Sequence, residues 1–124
     1  MHHLNGVVLV IEDDPTQLIR TVKIVQSHGH TALKASCGLE ALSVLRTTDV
    51  DVVLMDVFLP DIHGTNLCPR LLDEAKGDAP AVIAVSVNAD AENISKCLIA
   101  GAVDYVAKPV VRVVESFEHE PLTT

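Results

Sequence analysis

Short apolar runs alternate with polar, helix-like segments along most of the chain. Five of these runs are rich in Val, Ile, Leu and Ala, which is typical of strands buried on both faces of a parallel sheet. The predicted strands cover residues 7–11, 31–35, 51–55, 81–85 and 103–106. Because aromatic residues make up only 2% of the sequence, the core must be largely aliphatic.

The segments between the predicted strands carry helix signals. In the first segment, Leu18, Ile19, Val22 and Val25 recur at helical spacing, and Asp14 is the expected N-cap. The second segment repeats leucine and alanine at the same spacing after a glycine. Glycines are also expected to end the first and fourth helices. The sequence therefore predicts an amphipathic helix after each of the first two strands.

Three features distinguish the later helices. Pro69 has no backbone N–H, so Asn66 is predicted as the N-cap of the third helix, which places Pro69 in the first turn. Asp90 is the expected N-cap of the fourth helix. A short fifth helix is predicted over 111–119, although its β-branched valines are poor helix formers.

Five strands that alternate with five helices predict an α/β fold. Strands joined by helices pair in parallel through right-handed crossovers. The expected architecture is a doubly wound five-stranded parallel sheet, (βα)5, in three α/β/α layers. We expect one domain over residues 1–124, with a core of about 7–118 and a loose tail at 119–124.

Charge and composition restrict the classes of function. The formal net charge of −8 argues against nucleic-acid binding and against a role on anionic membranes. No apolar run approaches the roughly 20 residues that span a bilayer, and the first six residues lack the apolar segment of a signal peptide. A cytoplasmic protein is expected. The three cysteines, which lack CxxC spacing, are expected to be buried thiols, and His28 and His30 are expected to lie in a turn.

Polar residues follow four of the predicted strands. Glu12 and Asp13 follow the first, Asp56 the third, Ser86 the fourth and Lys108 the fifth. Since ligands of open parallel sheets bind at the carboxyl ends of the strands, these side chains should gather at one edge. Carboxylates in that number need a counter-charge, and their oxygens suit a hard cation such as Mg²⁺. Asp56 could then act as a nucleophile toward a phosphoryl donor, with Lys108 offsetting the charge on the phosphoryl oxygens.

Four stretches of the sequence, VLVIEDDP, LMDVFLPDIHG, AVSVNAD and YVAKP, resemble the signature segments of response-regulator receiver domains. The resemblance extends over nearly the whole chain, and the order and spacing of the stretches are typical of that family. It implies a flavodoxin-like fold and a role in two-component signal transduction. It also implies that the protein is not a conventional enzyme, but catalyses phosphotransfer to its own aspartate and its own dephosphorylation.

The resemblance assigns a role to each strand-end residue. Asp56 would be the phosphoacceptor, with Lys108 and Ser86 as the other catalytic residues, and Ser86 would act with Tyr105 as the switch pair. The peptide bond between Lys108 and Pro109 would be cis. The expected cofactor is Mg²⁺ (or Mn²⁺), held by the carboxylates of Asp13 and Asp56, by Glu12 through a water molecule and by the backbone carbonyl of Phe58.

Three positions depart from the usual family pattern or tune it. Val87 stands where Ala or Gly is usual, and its side chain could narrow access to Asp56 and slow phosphorylation by small donors. Phe58 and Asn88 occupy positions that modulate the lifetime of the phosphoryl group. Because Phe58 cannot polarise an attacking water molecule, a long-lived phosphorylated state is expected.

The resemblance also implies partners. These are a histidine kinase or histidine phosphotransfer protein as donor and a downstream protein or output domain as reader. The reader would bind the face made by the fourth helix, fifth strand and fifth helix, through which the chain could also form a homodimer. A phosphorylation-independent interaction module on the same fold is the alternative. An aspartate-nucleophile phosphatase is disfavoured because Phe58 replaces its general acid, and a flavin-binding protein is disfavoured because acidic residues follow the first strand.

Overall fold

Each predicted strand is present in the computed structural model, which describes residues 6–87 and 90–108. The elements are β1 (Val7–Ile11), α1 (Pro15–Ser27), β2 (Thr31–Ala35), α2 (Gly38–Thr47), β3 (Val52–Asp56), α3 (Gly64–Glu74), β4 (Ala81–Ser86), α4 (Ala91–Ile99) and β5 (Asp104–Ala107). The predicted fifth helix and tail, the bond to Pro109, and Asn88 lie outside the described residues.

The five strands form one parallel sheet in the order β2-β1-β3-β4-β5. From β1 the chain moves to one edge of the sheet, returns to β3 and then continues to the other edge. The direction of winding thus reverses between β1 and β3. A crevice opens at the carboxyl ends of the strands beside such a reversal, which is where ligands of doubly wound sheets bind.

The aliphatic core lies on both faces of the sheet, as the doubly wound prediction requires. Alternate residues of β1 point to opposite faces. Val8 and Val10 join a cluster with Val25 of α1, whereas Leu9 and Ile11 join a larger cluster that includes residues of α2, α3 and α4. Burial of these side chains stabilises each helix on its sheet face at roughly 25 cal/mol per Å² of apolar surface.

The stripe predicted for α1 is wrong at one position. Ile19 is 52% exposed, whereas Thr21 is buried beside Val25. The Thr21 hydroxyl donates a hydrogen bond to the backbone carbonyl of Gln17, at 2.9 Å, so its burial leaves no unpaired polar group. The helix stop signals were predicted correctly, because Gly29 and Gly101 adopt positive φ angles of 91° and 117° after α1 and α4.

The predicted start of α3 is also wrong. The helix begins at Gly64, and His63 rather than Asn66 is its N-cap, with the His63 side chain accepting a hydrogen bond from the backbone N–H of Thr65. Pro69 therefore lies in the second turn and not in the first. Its position on the exposed side of the helix lets water hydrate the carbonyl that has lost its intrahelical donor.

The early start of α3 brings the helix against the end of β3. A Cβ atom at Gly64 would lie 2.9 Å from both Met55 Cε and Val57 Cα, so only glycine fits without displacement. Leu67, Cys68 and Leu71 of this helix are then fully buried in the larger cluster. The packing of α3 thus fixes the loop that follows β3.

No helix within the described part of the chain is long and apolar enough to cross a membrane.

Candidate functional site

Strand register brings the predicted strand-end residues to one edge of the sheet. β3 and β4 each extend one residue beyond the prediction, so that Asp56 and Ser86 are the last residues of their strands. Asp56 pairs with Val85, and Ser86 pairs with Ala107, the residue before Lys108. The backbone N–H of Lys108 donates to the Ser86 carbonyl at 3.0 Å, which continues the ladder to the edge.

Three carboxylates meet at this edge. Glu12, Asp13 and Asp56 each offer a carboxylate oxygen, and these atoms lie within 4.8 Å of one another. Glu12 and Asp56 are only 5% and 8% exposed, whereas Asp13 faces solvent. An all-oxygen donor set that is closed on one side and open on the other suits Mg²⁺, which uses few carboxylates and keeps several waters. The three carboxylates that the sequence proposed for the metal are therefore together.

Lys108 supplies the counter-charge. Its Nζ lies 2.7 Å from Glu12 Oε1, 2.6 Å from Gln17 Oε1 and 3.4 Å from Asp56 Oδ2. Burial lowers the pKa of Lys108, but the hydrogen bond that Lys108 donates to Glu12 and the charges of Asp56 and Glu12 outweigh burial and leave the pKa raised. Lys108 thus remains an ammonium ion, and it offsets the charge of two nearly buried carboxylates.

A backbone N–H group fixes the orientation of the Asp56 carboxylate. The backbone N–H of Phe58 donates to Asp56 Oδ1 at 2.9 Å, and the N–H of Val57 donates to the Val85 carbonyl at 3.1 Å. The Oδ2 atom is left facing Lys108. A carboxylate held by a main-chain donor on one oxygen presents its other lone pairs in a defined direction, which favours nucleophilic chemistry.

Ser86 and Tyr105, the predicted switch pair, are neighbours. Ser86 is 1% exposed, and Tyr105 is half-buried against the larger apolar cluster. Burial raises the pKa of Tyr105, and a side-chain hydrogen bond with Ser86 opposes this without cancelling it. A side chain linked both to Ser86 and to the core can change position when Ser86 acquires another partner.

The start of α1 confirms one prediction and adds a residue. Asp14 is a helix cap, because its Oδ1 accepts from the backbone N–H groups of Thr16 and Gln17. The N–H of Asp14 itself donates to Glu12 Oε2, at 3.2 Å. Sequence reasoning did not single out Gln17 as a partner of Lys108. Gln17 lies three residues after the N-cap aspartate, and that position predicts a local capping contact rather than a contact with Lys108.

A second missed contact joins the loop after β3 to α2. Asp61, in the loop after β3, accepts hydrogen bonds from the backbone N–H groups of Gly38 and Leu39, both at 2.9 Å. The N-cap of α2, Cys37, makes no side-chain capping bond. Burial raises the pKa of Asp61, but the main-chain donors outweigh it and leave this pKa lowered. Asp61 is thus the capping group of α2, supplied from a distant segment.

Two of the three tuning positions are described. Val87 follows β4 and is 73% exposed, and Phe58 is 45% exposed. The Phe58 ring contacts the His63 ring edge to face, with centroids 5.3 Å apart, and the two residues also form an isolated bridge. The side chain of Phe58 therefore packs against the N-cap residue of α3, at the end of the loop that follows β3.

Comparison with known proteins agrees with this geometry. Residues 8–114 match the family model described as the response regulator receiver domain. The chain belongs to this family. It is 32% identical over 103 residues to protein PilH of Pseudomonas aeruginosa, covering 83% of this chain and 85% of that protein.

Other members are longer or have known structures. The chain is 36% identical over 102 residues to the transcriptional regulatory protein CseB of Streptomyces coelicolor, covering 82% of this chain but only 42% of CseB. The receiver domain of a sensor histidine kinase from P. aeruginosa, solved with magnesium in its active-site cleft, superposes with a TM-score of 0.78 and 26% identity, covering 90% of this chain and 96% of that one. Receiver domains thus occur alone and within larger regulators and kinases.

Proposed function

We propose that this chain is a phosphorylation-dependent switch of a two-component system that accepts a phosphoryl group on Asp56. The observation that carries the proposal is the position of the Asp56 carboxylate, which lies beside the acidic pair and close to the ammonium of Lys108, with Asp56 Oδ2 3.4 Å from Nζ. Two nearly buried carboxylates with a solvent-facing third are costly unless a cation joins them. Transfer of a phosphoryl group uses the same cation and the same ammonium.

In the proposed reaction, a carboxylate oxygen of Asp56 forms a bond to phosphorus while the bond from phosphorus to a donor histidine nitrogen breaks. The nitrogen keeps the electron pair, and the imidazole takes up a proton from solvent. The main-chain N–H of Phe58 holds Asp56 Oδ1, at 2.9 Å, so that the carboxylate meets the donor in one orientation. Lys108 stabilises the negative charge that spreads over the phosphoryl oxygens.

The metal site follows from the same residues. Mg²⁺ or Mn²⁺ would neutralise the carboxylates and polarise the phosphoryl oxygens. We propose that Asp13 and Asp56 bind the ion directly, Glu12 through water and Phe58 through its backbone carbonyl. Solvent exposure of Asp13 leaves that side open for the retained waters and for the donor.

The proposed signal leaves the site through Ser86 and Tyr105. A phosphoryl oxygen competes for the Ser86 hydroxyl, the Ser86–Tyr105 link is lost, and Tyr105 moves toward the core. This shifts the population between two states of the face that contains α4 and β5. Leu98, Ile99 and Val103 are large apolar side chains exposed on or beside α4, where a downstream protein, an output domain or a second copy would bind.

The donor side of the proposal is a cytoplasmic histidine kinase or histidine phosphotransfer protein. The exposed Val87 would narrow access of small donors to Asp56, and Phe58, with Asn88, would prolong the lifetime of the aspartyl phosphate.

Acetyl phosphate is expected to label Val87→Ala faster than wild type. Equal labelling rates would refute the role of Val87 in limiting access. A half-life of seconds or less for the wild-type phosphoprotein would refute the lifetime role.

The test of the proposed function is intact mass after incubation with acetyl phosphate, with and without Mg²⁺. Wild type and the matched control Asp73→Asn, which alters an exposed aspartate of α3, should each gain one phosphoryl group only with Mg²⁺. Asp56→Asn should gain none. An equal gain in mass for Asp56→Asn would show that a residue other than Asp56 is phosphorylated. No gain in folded wild type, even from phosphorylated donor proteins, would favour the phosphorylation-independent module.

A further inference from the structure

The ammonium of Lys108 has three N–H bonds and, among the residues that the structure describes, three acceptors at unequal distances. Glu12 Oε1 and Gln17 Oε1 are 2.7 Å and 2.6 Å from Nζ, which makes both contacts short, whereas Asp56 Oδ2 is 3.4 Å away. Two N–H bonds are therefore committed to short contacts. The third is directed to the Asp56 side and is only loosely engaged.

The backbone of Gln17 is held from both sides. Its N–H donates to the N-cap Asp14, at 3.2 Å, and its carbonyl accepts from the Thr21 hydroxyl, at 2.9 Å. The side chain of a glutamine at this position ordinarily turns back to the N–H of the N-cap residue, as part of a capping box. Here Glu12 Oε2 accepts from that N–H, at 3.2 Å. The Gln17 amide is thereby free to reach across to Lys108.

The chemistry of the acceptor matters. A carboxylate at this position would add a fourth negative charge beside the phosphoryl site. The amide oxygen of Gln17 holds the ammonium without neutralising any of its charge. The lysine is thus fixed in direction, while its charge and its third N–H stay available for a phosphoryl oxygen on Asp56.

From this geometry we infer that Gln17 is a positioning residue for phosphotransfer: together with Glu12 it fixes Lys108 so that the remaining N–H points at the phosphoryl group. The inference rests on the proposed function. Among the described hydrogen bonds, the Gln17 side chain bonds to Lys108 and to none of the three clustered carboxylates.

The test compares Gln17→Met with Gln26→Met. Gln26 is an exposed residue near the end of the same helix, so the control makes the same chemical change away from the site. Gln17→Met should lower the rate constant for labelling by acetyl phosphate at saturating Mg²⁺ about tenfold, because a misdirected lysine loses part of its transition-state contact. Gln26→Met should label at the wild-type rate.

Two further measurements separate positioning from a general structural role. The Kd for Mg²⁺, measured without donor, should be the same in Gln17→Met and wild type, because the carboxylates are untouched. The affinity of the Mg²⁺-bound protein for beryllofluoride, an analogue of the phosphoryl group, should fall with the labelling rate. Parallel losses in Mg²⁺ affinity and thermal stability would overturn the positioning role.

The failure of this inference can be told from failure of the proposed function. If wild type is labelled on Asp56 and Gln17→Met is labelled equally fast, only the role of Gln17 is refuted. If wild type takes up no phosphoryl group on Asp56, both are refuted.

Discussion

The ionic groups at the strand ends are mutually dependent at the scale of single residues. Glu12 and Asp56 are nearly buried, and each would be destabilised as an anion without Lys108. The lysine in turn owes its raised pKa to them, despite its burial. No single residue explains the site, because the charge of each buried group is offset by the opposite charge of another.

Replacement of Lys108 by methionine tests this dependence. Loss of the ammonium should lower the rate of labelling by acetyl phosphate by about 100-fold, since its charge is aimed at the phosphoryl oxygens. Mg²⁺ binding should persist, because the carboxylates remain and lose a competing cation. Labelling kinetics and Mg²⁺ titration measure the two effects.

The control for this change is Lys96→Met, which alters an exposed lysine on α4 that pairs with Glu92 in its own helix. It should leave both labelling and Mg²⁺ binding unchanged. An undiminished labelling rate in Lys108→Met would contradict the role that we assign to the ammonium.

At the scale of elements, most of the fold followed from local pattern. The apolar runs predicted the strands, and Asp14, Asp90 and the two positive-φ glycines were predicted as helix ends. The start of α3 was not predictable in this way. It depends on the close packing of Gly64 against Met55, a tertiary contact that outweighs the local cost of a proline in the second turn.

Contacts between residues that are distant in the sequence explain what sequence reasoning missed near the site. Asp61 caps a helix that begins more than twenty positions earlier, and Gln17 contacts a lysine 91 positions away. Periodicity and capping rules describe contacts within about one helical turn. The five residues at the ends of four strands were found because the topology of a parallel sheet determines where they meet.

Removal of the Asp61 carboxylate tests the cap on α2. Asp61→Ala should lower the free energy of unfolding by about 1 kcal/mol at neutral pH, the usual value for a helix cap. Because the folded pKa of Asp61 lies below its unfolded value, its contribution is present above the unfolded pKa and is lost as pH falls through the folded one. Urea unfolding at several pH values should therefore show the two stabilities converging in acid.

A matched control for that experiment is Asp78→Ala, which removes an exposed carboxylate from the loop before β4. It should leave stability within about 0.5 kcal/mol of wild type, as surface changes usually do. A difference between Asp61→Ala and wild type that stayed constant into strong acid would argue against a contribution from the ionised carboxylate.

At the scale of the whole molecule, one face of the sheet holds the larger apolar cluster, and this cluster reaches the proposed switch. The larger apolar cluster, under α2, α3 and α4, also contacts Tyr105, so the core and the proposed switch are continuous. Cys68 and Cys97 lie fully buried in that cluster as predicted, whereas the prediction of burial is wrong for Cys37, which is partly exposed at the start of α2. Burial, with a smaller effect of Cys97, raises the pKa of the Cys68 thiol to about 11.

The thiols therefore report on the integrity of this core. In native protein at neutral pH, a maleimide should label Cys37 rapidly and the other two only as fast as the core opens. Counting labels by mass, followed by peptide mapping, measures this. Rapid labelling of all three thiols without denaturant would mean that the larger cluster is not closed in solution.

The central claim is that Asp56 is the residue that carries the phosphoryl group, and the most direct test identifies the modified side chain chemically. Protein treated with acetyl phosphate and Mg²⁺ is reduced with borohydride, which converts an aspartyl phosphate to homoserine, and is then mapped by peptide mass spectrometry. We predict homoserine at position 56, dependent on Mg²⁺ and absent without the donor. Reduction at Asp13 or Glu12 instead, or at none of these positions in protein that had gained the phosphoryl mass, would contradict the account.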